Sequence, residues 1–190
     1  MLLKVELEKR LFIGIPIDRE IQPLFSDIQS SLKHHSEQIR WVPPGNIHIT
    51  LSFLGNVPID NIPKLTKVLK YAVNLNYFRV TIEKTGVFPS KKNPKILWLG
   101  VGSGKEKLLT LHKQIEKLVV SFKTDQKKDH FIPHITIGRK AQYYRNINFL
   151  PFLKYVYSPI EFDVNSVALY ESQLLHEGSK YKVLTKFLLN

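Results

Sequence analysis

The sequence contains no cysteine, only one methionine and no long uninterrupted hydrophobic run. The lack of cysteine excludes disulfides, thiolate catalysis and zinc sites built from cysteine. No stretch approaches the ~20 apolar residues that a membrane-spanning helix needs. Residues 1–10 include acidic side chains and lack the apolar segment of a secretory signal. We therefore expect a soluble cytoplasmic protein whose chemistry depends on groups other than sulfur.

Negative charge is also scarce. The chain has 16 Asp and Glu against 28 Lys and Arg, which gives a formal net charge of +12. Such an excess attracts polyanions, and nucleic acid is the natural candidate. Basic residues gather in residues 91–95, 123–128 and 139–145, and the last run includes Tyr143 and Tyr144. Interleaved basic and aromatic side chains can hold single-stranded RNA through phosphate contacts and base stacking.

The length of 190 residues and the hydrophobic content of 43% fit one domain spanning residues 1–190. Alternating and helical patterns of apolar residues predict strands and helices that are mixed along the chain. The predicted strands cover residues 10–16, 39–42, 46–53, 78–85, 96–101, 133–139, 161–170 and 181–188, and the helices cover 21–32, 62–72 and 105–122. Asp18 is the expected N-cap of the first helix. This order predicts an α+β fold with two antiparallel sheets, helices outside, and two lobes around a central cleft.

A short pattern occurs once in each half of the chain. His48-Ile49-Thr50-Leu51 and His134-Ile135-Thr136-Ile137 each place a histidine and a threonine two residues apart in a strand-like run. Strict alternation puts Ser52 on the polar face of the first strand and Phe53 on its core face. The duplication predicts lobes related by an approximate two-fold axis, each contributing one motif strand to a shared cleft.

Two imidazoles on opposite sides of one phosphorus atom permit acid and base catalysis together, because histidine titrates near neutral pH. One neutral histidine activates water while one protonated histidine supplies a proton to the leaving oxygen. The threonine hydroxyls can donate hydrogen bonds to the nonbridging oxygens. Arg139 can do the same only if the strand ends or bends at Gly138, since strict alternation puts Arg139 on the core face.

Other chemistries have weaker support. A metal site is the first alternative, but the motifs offer no clustered carboxylates and no chelating pair of histidines. The chain has no Gly-x-Ser-x-Gly turn of serine hydrolases and no complete Walker phosphate-binding loop. We expect no metal and no cofactor. His112 fits a packing role, and the sequence assigns His34, His35, His130 and His176 to the surface.

The motifs and their surroundings resemble the 2H phosphoesterase superfamily, and specifically the RNA 2′,3′-cyclic phosphodiesterases, formerly called 2′-5′ RNA ligases. The resemblance rests on residues 10–15, on residues 40–55 with the first motif, and on residues 133–139 with the second. Residues 87–89, 97–101 and 169–172 are similar to the connecting strands of that family. Residues 1–9 lie outside the resemblance as an N-terminal extension. The sequence departs from the family at Ser52, where a basic residue is frequent, and at Gly138, where alanine is common.

The resemblance implies a bilobal, metal-independent enzyme of LigT type that hydrolyses a terminal 2′,3′-cyclic phosphate to a 2′-phosphate. By position, His48 corresponds to the proton donor for the departing 3′ oxygen and His134 to the acceptor that activates water. The candidate substrate-binding residues are Thr50, Thr136, Arg139, Trp41 and Phe53. The expected partners are RNA ends with a cyclic phosphate, tRNA fragments among them, and we expect a monomer that does not bind membranes.

Three other functions remain open from the sequence. The same two histidines can catalyse the reverse reaction, which joins RNA ends through a 2′-5′ bond. A phosphodiesterase for small cyclic nucleotides or 2′-5′ oligoadenylates is also compatible, because the base pocket cannot be read from the sequence. An RNA-binding module with vestigial motifs is supported only by the charge, and the intact His and Thr of both motifs argue against it.

Overall fold

The structure, a computed structural model, describes residues 7–17, 21–73, 75–124, 130–141, 143–144, 148–175 and 178–190. The strands are β1 (Glu8–Pro16), β2 (Ile39–Trp41), β3 (His48–Pro58), β4 (Phe78–Ser90), β5 (Asn93–Val101), β6 (His134–Lys140), β7 (Ile160–Val164), β8 (Ser166–Leu175) and β9 (Gly178–Leu188). The α-helices are α1 (Gln22–Ser31), α2 (Ile62–Ala72), α3 (Lys105–Val119) and α4 (Leu150–Leu153).

The strands form one antiparallel sheet in the order β7-β4-β5-β6-β3-β1-β8-β9, and β2 also pairs with β6. The α+β class with an antiparallel sheet is confirmed. The prediction of two separate sheets is wrong, because β3 and β6 are joined through Ile49 and Ile135. This single residue pair joins one half-sheet of β7, β4, β5, β6 and β2 to another of β3, β1, β8 and β9, so the approximate two-fold pattern takes the form of two half-sheets in one sheet.

One face of the sheet is covered by helices. The helical spacing of apolar residues in α2 and α3 buries Leu65, Leu69, Leu108 and Leu111 completely against the sheet. The other face carries a smaller buried cluster of Phe12, Ala168 and Tyr170. Alternate residues of one strand therefore serve different purposes, because one set packs under the helices and the other faces an open surface.

The boundaries of several elements differ from the predictions. Strand β1 begins two residues earlier than predicted, since Glu8 and Lys9 belong to it and Lys9 forms an ion pair with Glu171. Residues 86–95, which lie between two predicted strands, are mostly strand, because β4 and β5 continue into a tight turn. The predicted strand at residues 161–170 is divided between β7 and β8. The expected N-cap Asp18 lies outside the described residues.

No helix in the described ranges combines the length and the apolar character that crossing a membrane requires.

Candidate active site

The two His-x-Thr motifs lie side by side at the junction of the half-sheets. Ile49 and Ile135, the middle residues of the motifs, pair with each other in antiparallel register. This register turns the histidine of each motif toward the threonine of the other on the same face of the sheet. All four side chains are half-buried. The structure therefore brings together the residues that the sequence singled out, although the strands are neighbours rather than opposing walls.

The two histidines are oriented by the same backbone contact. His48 Nδ1 donates to the carbonyl of Asn46 at 2.7 Å, and His134 Nδ1 donates to the carbonyl of Ile132 at 2.7 Å. Because a carbonyl only accepts, the neutral imidazoles carry their hydrogen on Nδ1. Nε2 is then the atom that exchanges protons, and Nε2 of His48 accepts a hydrogen bond from Thr50 Oγ1 at 2.9 Å.

Aromatic rings enclose His48. Phe12 and Tyr170 are stacked with centroids 4.7 Å apart, and the Phe12 ring lies 4.8 Å from the imidazole. Tyr181 meets the imidazole edge-on at 5.2 Å. The register explains this cluster, since Phe12 pairs with Tyr170 and all three residues alternate onto the open face. The rings exclude water from His48. No local sequence pattern predicts this set, because its members come from β1, β8 and β9, far along the chain from His48 or on the other side of β1 in the sheet.

His134 has an aromatic wall of its own. The Phe88 ring meets the imidazole edge-on at 5.0 Å, and the Trp98 ring lies at 6.2 Å. Trp98 packs so closely over Gly86 that a Cβ at Gly86 would overlap the indole. Glycine is therefore required at position 86 to leave room for this ring. Trp98 and Phe88 belong to stretches that resemble the family, but no spacing in the sequence connects them with His134.

Burial is the main influence on both imidazoles. Desolvation lowers the pKa of His48 from its usual 6.5 to about 4, opposed by the hydrogen bond to Asn46 and assisted by the charges of His134 and Arg139. The pKa of His134 is also lowered, again mainly by burial, with a further contribution from Arg139. The free site therefore favours two neutral imidazoles. The shared influence of Arg139 also indicates that its charge lies near both histidines.

A bulge follows the first motif and changes which residues face the site. Thr50 pairs with Gly14, but Ser52 pairs with Ile13, so Leu51 is an extra residue in β3. Ser52 therefore turns into the helical side, where it is 4% exposed. Phe53 turns to the open face, with its ring 6.1 Å from Phe12 and 63% exposed. The expected faces of Ser52 and Phe53 are thus reversed, and Phe53 joins the site as a candidate contact.

The second motif has a bulge at the equivalent position. Thr136 pairs with Trp98 and Gly138 pairs with Leu97, so Ile137 is the extra residue. The reversal of alternation brings Arg139 to the open face, in accord with its effect on both histidines. The sequence predicts that Arg139 reaches the site only if the strand ends or bends at Gly138, and this bulge supplies such a bend.

Each bulge leaves a carbonyl that another element satisfies. The carbonyl of Leu51 accepts a hydrogen bond from Nδ1 of His112 in α3 at 2.8 Å. The carbonyl of Ile137 accepts one from the backbone N–H of Val42 at 2.9 Å. Unpaired buried carbonyls are costly, so these contacts stabilise the bulges. His112 also stacks on Phe131 at 4.0 Å, which supports its expected packing role.

Trp41, a candidate substrate contact, lies away from the site face. Trp41 pairs with Gly138, and the bulge has turned this position toward the core side of β6. A Cβ at Gly138 would fall 2.8 Å from Cγ2 of Ile39 and 3.2 Å from the Trp41 ring. Trp41 packs against the core instead. Trp41 does not face the site, because alternation along β2 puts Arg40, and not Trp41, on the open face.

Replacing Gly138 by alanine is expected to destabilise the fold by about 1 to 3 kcal/mol, since Ile39 is buried and β-branched and has little freedom to move. Urea unfolding followed by circular dichroism measures this change. Gly45→Ala is the matched control, because a Cβ there meets nothing within 4 Å. Equal stability of the two variants would contradict the close packing under β6.

The remaining histidines are less informative. His130 is exposed, as expected. The side chains of His34 and His35 and the whole of His176 lie outside the described residues, as do parts of the basic runs at 123–128 and 139–145. Over the described part of the chain, no three side chains of His, Asp or Glu come together as a metal site. The groups around His48 and His134 are rings and hydroxyls.

Besides this geometry, the sequence of the chain matches a known protein family. The model of the 2′-5′ RNA ligase superfamily matches residues 17–174, which include both motifs. The chain belongs to the 2′-5′ RNA ligase superfamily. Within this superfamily, an RNA 2′,3′-cyclic phosphodiesterase of Aquifex aeolicus is 36% identical over 155 residues, covering 79% of this chain and 81% of the relative. A protein of the same description from Thermotoga maritima is 32% identical, covering 92% of each chain.

Solved structures of other proteins share the fold. A Thermus thermophilus protein superimposes with a TM-score of 0.78 at 25% identity, covering 94% of this chain and 97% of that structure. E. coli LigT in its apo form gives a TM-score of 0.73 at 23% identity, covering 96% and 98%. The prediction of a LigT-like fold is therefore confirmed.

Proposed function

We propose that this chain hydrolyses the 2′,3′-cyclic phosphate at the 3′ end of RNA and releases a 2′-phosphate. The observation that carries the proposal is that two imidazoles, each donating Nδ1–H to a backbone carbonyl, lie on the same face where the two motif strands pair through Ile49 and Ile135. In the proposed complex, one Nε2 acts on each side of the phosphorus atom. The naming of relatives such as those of Aquifex aeolicus and Thermotoga maritima supports the same activity.

The reaction needs one proton to be removed and one to be supplied. Nε2 of neutral His134 accepts a proton from water, whose oxygen forms a new bond to phosphorus. The bond between phosphorus and the 3′ oxygen breaks, and Nε2–H of protonated His48 gives its proton to that oxygen. The product carries a 2′-phosphate and a free 3′-hydroxyl. These roles follow the resemblance of the two motifs to the family.

Hydroxyl and guanidinium groups stabilise the charge that builds up on the nonbridging oxygens. Thr50 and Thr136 lie beside the two imidazoles on the open face, and Arg139 carries a positive charge near both. Thr50 donates to His48 in the free site. To donate to the phosphate instead, its hydroxyl turns away from His48 when substrate binds. Hydrogen bonds to developing charge in a desolvated site contribute strongly to catalysis.

A comparison of three substrates tests the proposal. The purified protein is incubated with RNA ending in a 2′,3′-cyclic phosphate, with a 2′,3′-cyclic mononucleotide and with a 2′-5′ oligoadenylate. We expect the cyclic-phosphate RNA to be hydrolysed with the highest kcat/KM, and phosphorus NMR to identify the product as a 2′-phosphate. Cleavage of the oligoadenylate alone, or release of a 3′-phosphate, contradicts the proposal.

Hydrolysis is expected to survive exhaustive treatment with EDTA, because proton transfer by two histidines and charge stabilisation by hydroxyls and Arg139 require no metal. The measurement is the rate on cyclic-phosphate RNA before and after chelation. Loss of activity that Zn²⁺ or Mn²⁺ restores would instead indicate metal-assisted hydrolysis.

A further inference from the structure

A second arginine lies beside Arg139 on the open face of the sheet. Arg40 of β2 pairs directly with Arg139 of β6, and both side chains are exposed. Directly paired residues of neighbouring strands project from the same face. Since the bulge at Ile137 turns Arg139 toward the site, Arg40 faces the same way.

Neither guanidinium group forms an ion pair with an acidic side chain of the described residues. Like charges directly opposite each other in a sheet are destabilising. Arg79 on β4, by contrast, does form ion pairs, with Asp163 at 2.7 Å and Glu161 at 2.9 Å on neighbouring β7. Paired guanidinium groups without acidic partners are suited to phosphate.

The arginine pair is connected to the catalytic histidines through one row of side chains. Arg139 pairs with Ile96, and Ile96 pairs with Phe88, whose ring meets His134 at 5.0 Å. The exposed residues Lys91 and Lys92 lie at the β4–β5 turn, beyond this row. Positive charge therefore extends from the site toward the end of β6, which favours a polyanionic chain over a small monoanion.

We propose that Arg40 binds the phosphodiester immediately 5′ of the terminal nucleotide of single-stranded RNA, while Arg139 faces the cyclic phosphate. This inference rests on the proposed function. A cyclic phosphate closes the 3′ end, so the substrate continues only through the 5′ oxygen of its last nucleotide, and the next negative charge is that phosphodiester. Arg40 is thus a specificity residue that favours RNA chains over cyclic mononucleotides.

Three substrates isolate this contact. They are a diadenylate with a terminal 2′,3′-cyclic phosphate, the same dinucleotide with an uncharged methylphosphonate linkage, and adenosine 2′,3′-cyclic phosphate. Their kcat/KM values are measured for the wild type, Arg40→Gln, Arg40→Lys and Lys67→Gln. Lys67→Gln is the matched charge control, because Lys67 is exposed on α2, which packs on the opposite face of the sheet. Thermal melting shows that each variant is folded.

Arg40→Gln is expected to lower kcat/KM for the charged dinucleotide by about 3- to 10-fold and to leave the other two substrates unchanged. The slope of log kcat/KM against log salt should fall by about 0.7 for the charged dinucleotide, as expected when one phosphate contact is lost from a single strand. Arg40→Lys should retain that slope, and Lys67→Gln should behave as the wild type. An equal effect of Arg40→Gln on all three substrates, or no effect on any, overturns the inference.

A failure of the proposed function gives a different result. If the wild type hydrolyses none of the three substrates, the reaction is wrong, and the arginine contact is then decided by equilibrium binding. The probe is the same diadenylate ending in a 3′-phosphate, titrated at several salt concentrations. A smaller salt slope for Arg40→Gln supports the contact, and an unchanged slope overturns it.

Discussion

Replacement of either His48 or His134 by alanine is expected to lower kcat on a cyclic-phosphate end by about 10² to 10⁴-fold, because in the proposed mechanism each histidine transfers a proton in the transition state. The rate is measured on RNA with a 2′,3′-cyclic phosphate, and binding is measured separately with the same RNA ending in a 3′-phosphate. Binding should change little, since Arg139 and the two threonines remain in place.

The double variant separates joint action from independent action. If both histidines act in one concerted step, the loss in His48→Ala/His134→Ala should be far smaller than the product of the two single losses. His130→Ala is the matched control, because this histidine is exposed and precedes the second motif by four positions. Turnover near the wild-type rate in either single variant would rule out the two-histidine mechanism.

The rate should also depend strongly on pH. The base must be neutral, so kcat/KM falls below its pKa, and the acid must be protonated, so kcat/KM falls above its pKa. Because burial lowers the pKa of both histidines, to about 4 for His48, both limbs of the kcat/KM profile should lie on the acidic side of 6.5. The limbs belong to the coupled pair rather than to single residues.

Bound substrate should move this profile. A negative phosphate beside the imidazoles favours their charged forms and raises both pKa values, so the maximum of kcat should lie at higher pH than the maximum of kcat/KM. NMR titration of the His48 ring with and without inorganic phosphate measures the same shift directly. A kcat/KM maximum above pH 7, or a profile that is flat from acid to alkali, would be incompatible with two desolvated histidines as acid and base.

Single substitutions show which histidine controls the acidic limb of the pH profile and which controls the alkaline limb. Residual activity of the His134 variant should lose the acidic limb, and that of the His48 variant should lose the alkaline limb. The opposite pattern would exchange the roles of base and acid between the two histidines.

Much of the candidate active site was determined by the sequence alone. Strand alternation is a local property of the backbone, so the placement of His48 with Thr50, and of His134 with Thr136, follows from their spacing. The helical spacing of apolar residues likewise predicted α2 and α3, because burial of one stripe is the main source of stability for such helices. The resemblance of the motifs to a family pointed correctly to the fold.

The tertiary structure decided which residues accompany the four motif side chains. The two bulges reverse the alternation after each motif, and they depend on partners elsewhere, since the Leu51 carbonyl is satisfied by His112, 61 positions along the chain. Those bulges bring Phe53 and Arg139 to the open face and turn Ser52 inward. The aromatic walls and the pairing of Arg40 with Arg139 arise from strand order in the sheet. A local pattern sets the direction of side chains within a strand, but only long-range pairing sets the neighbours of that strand.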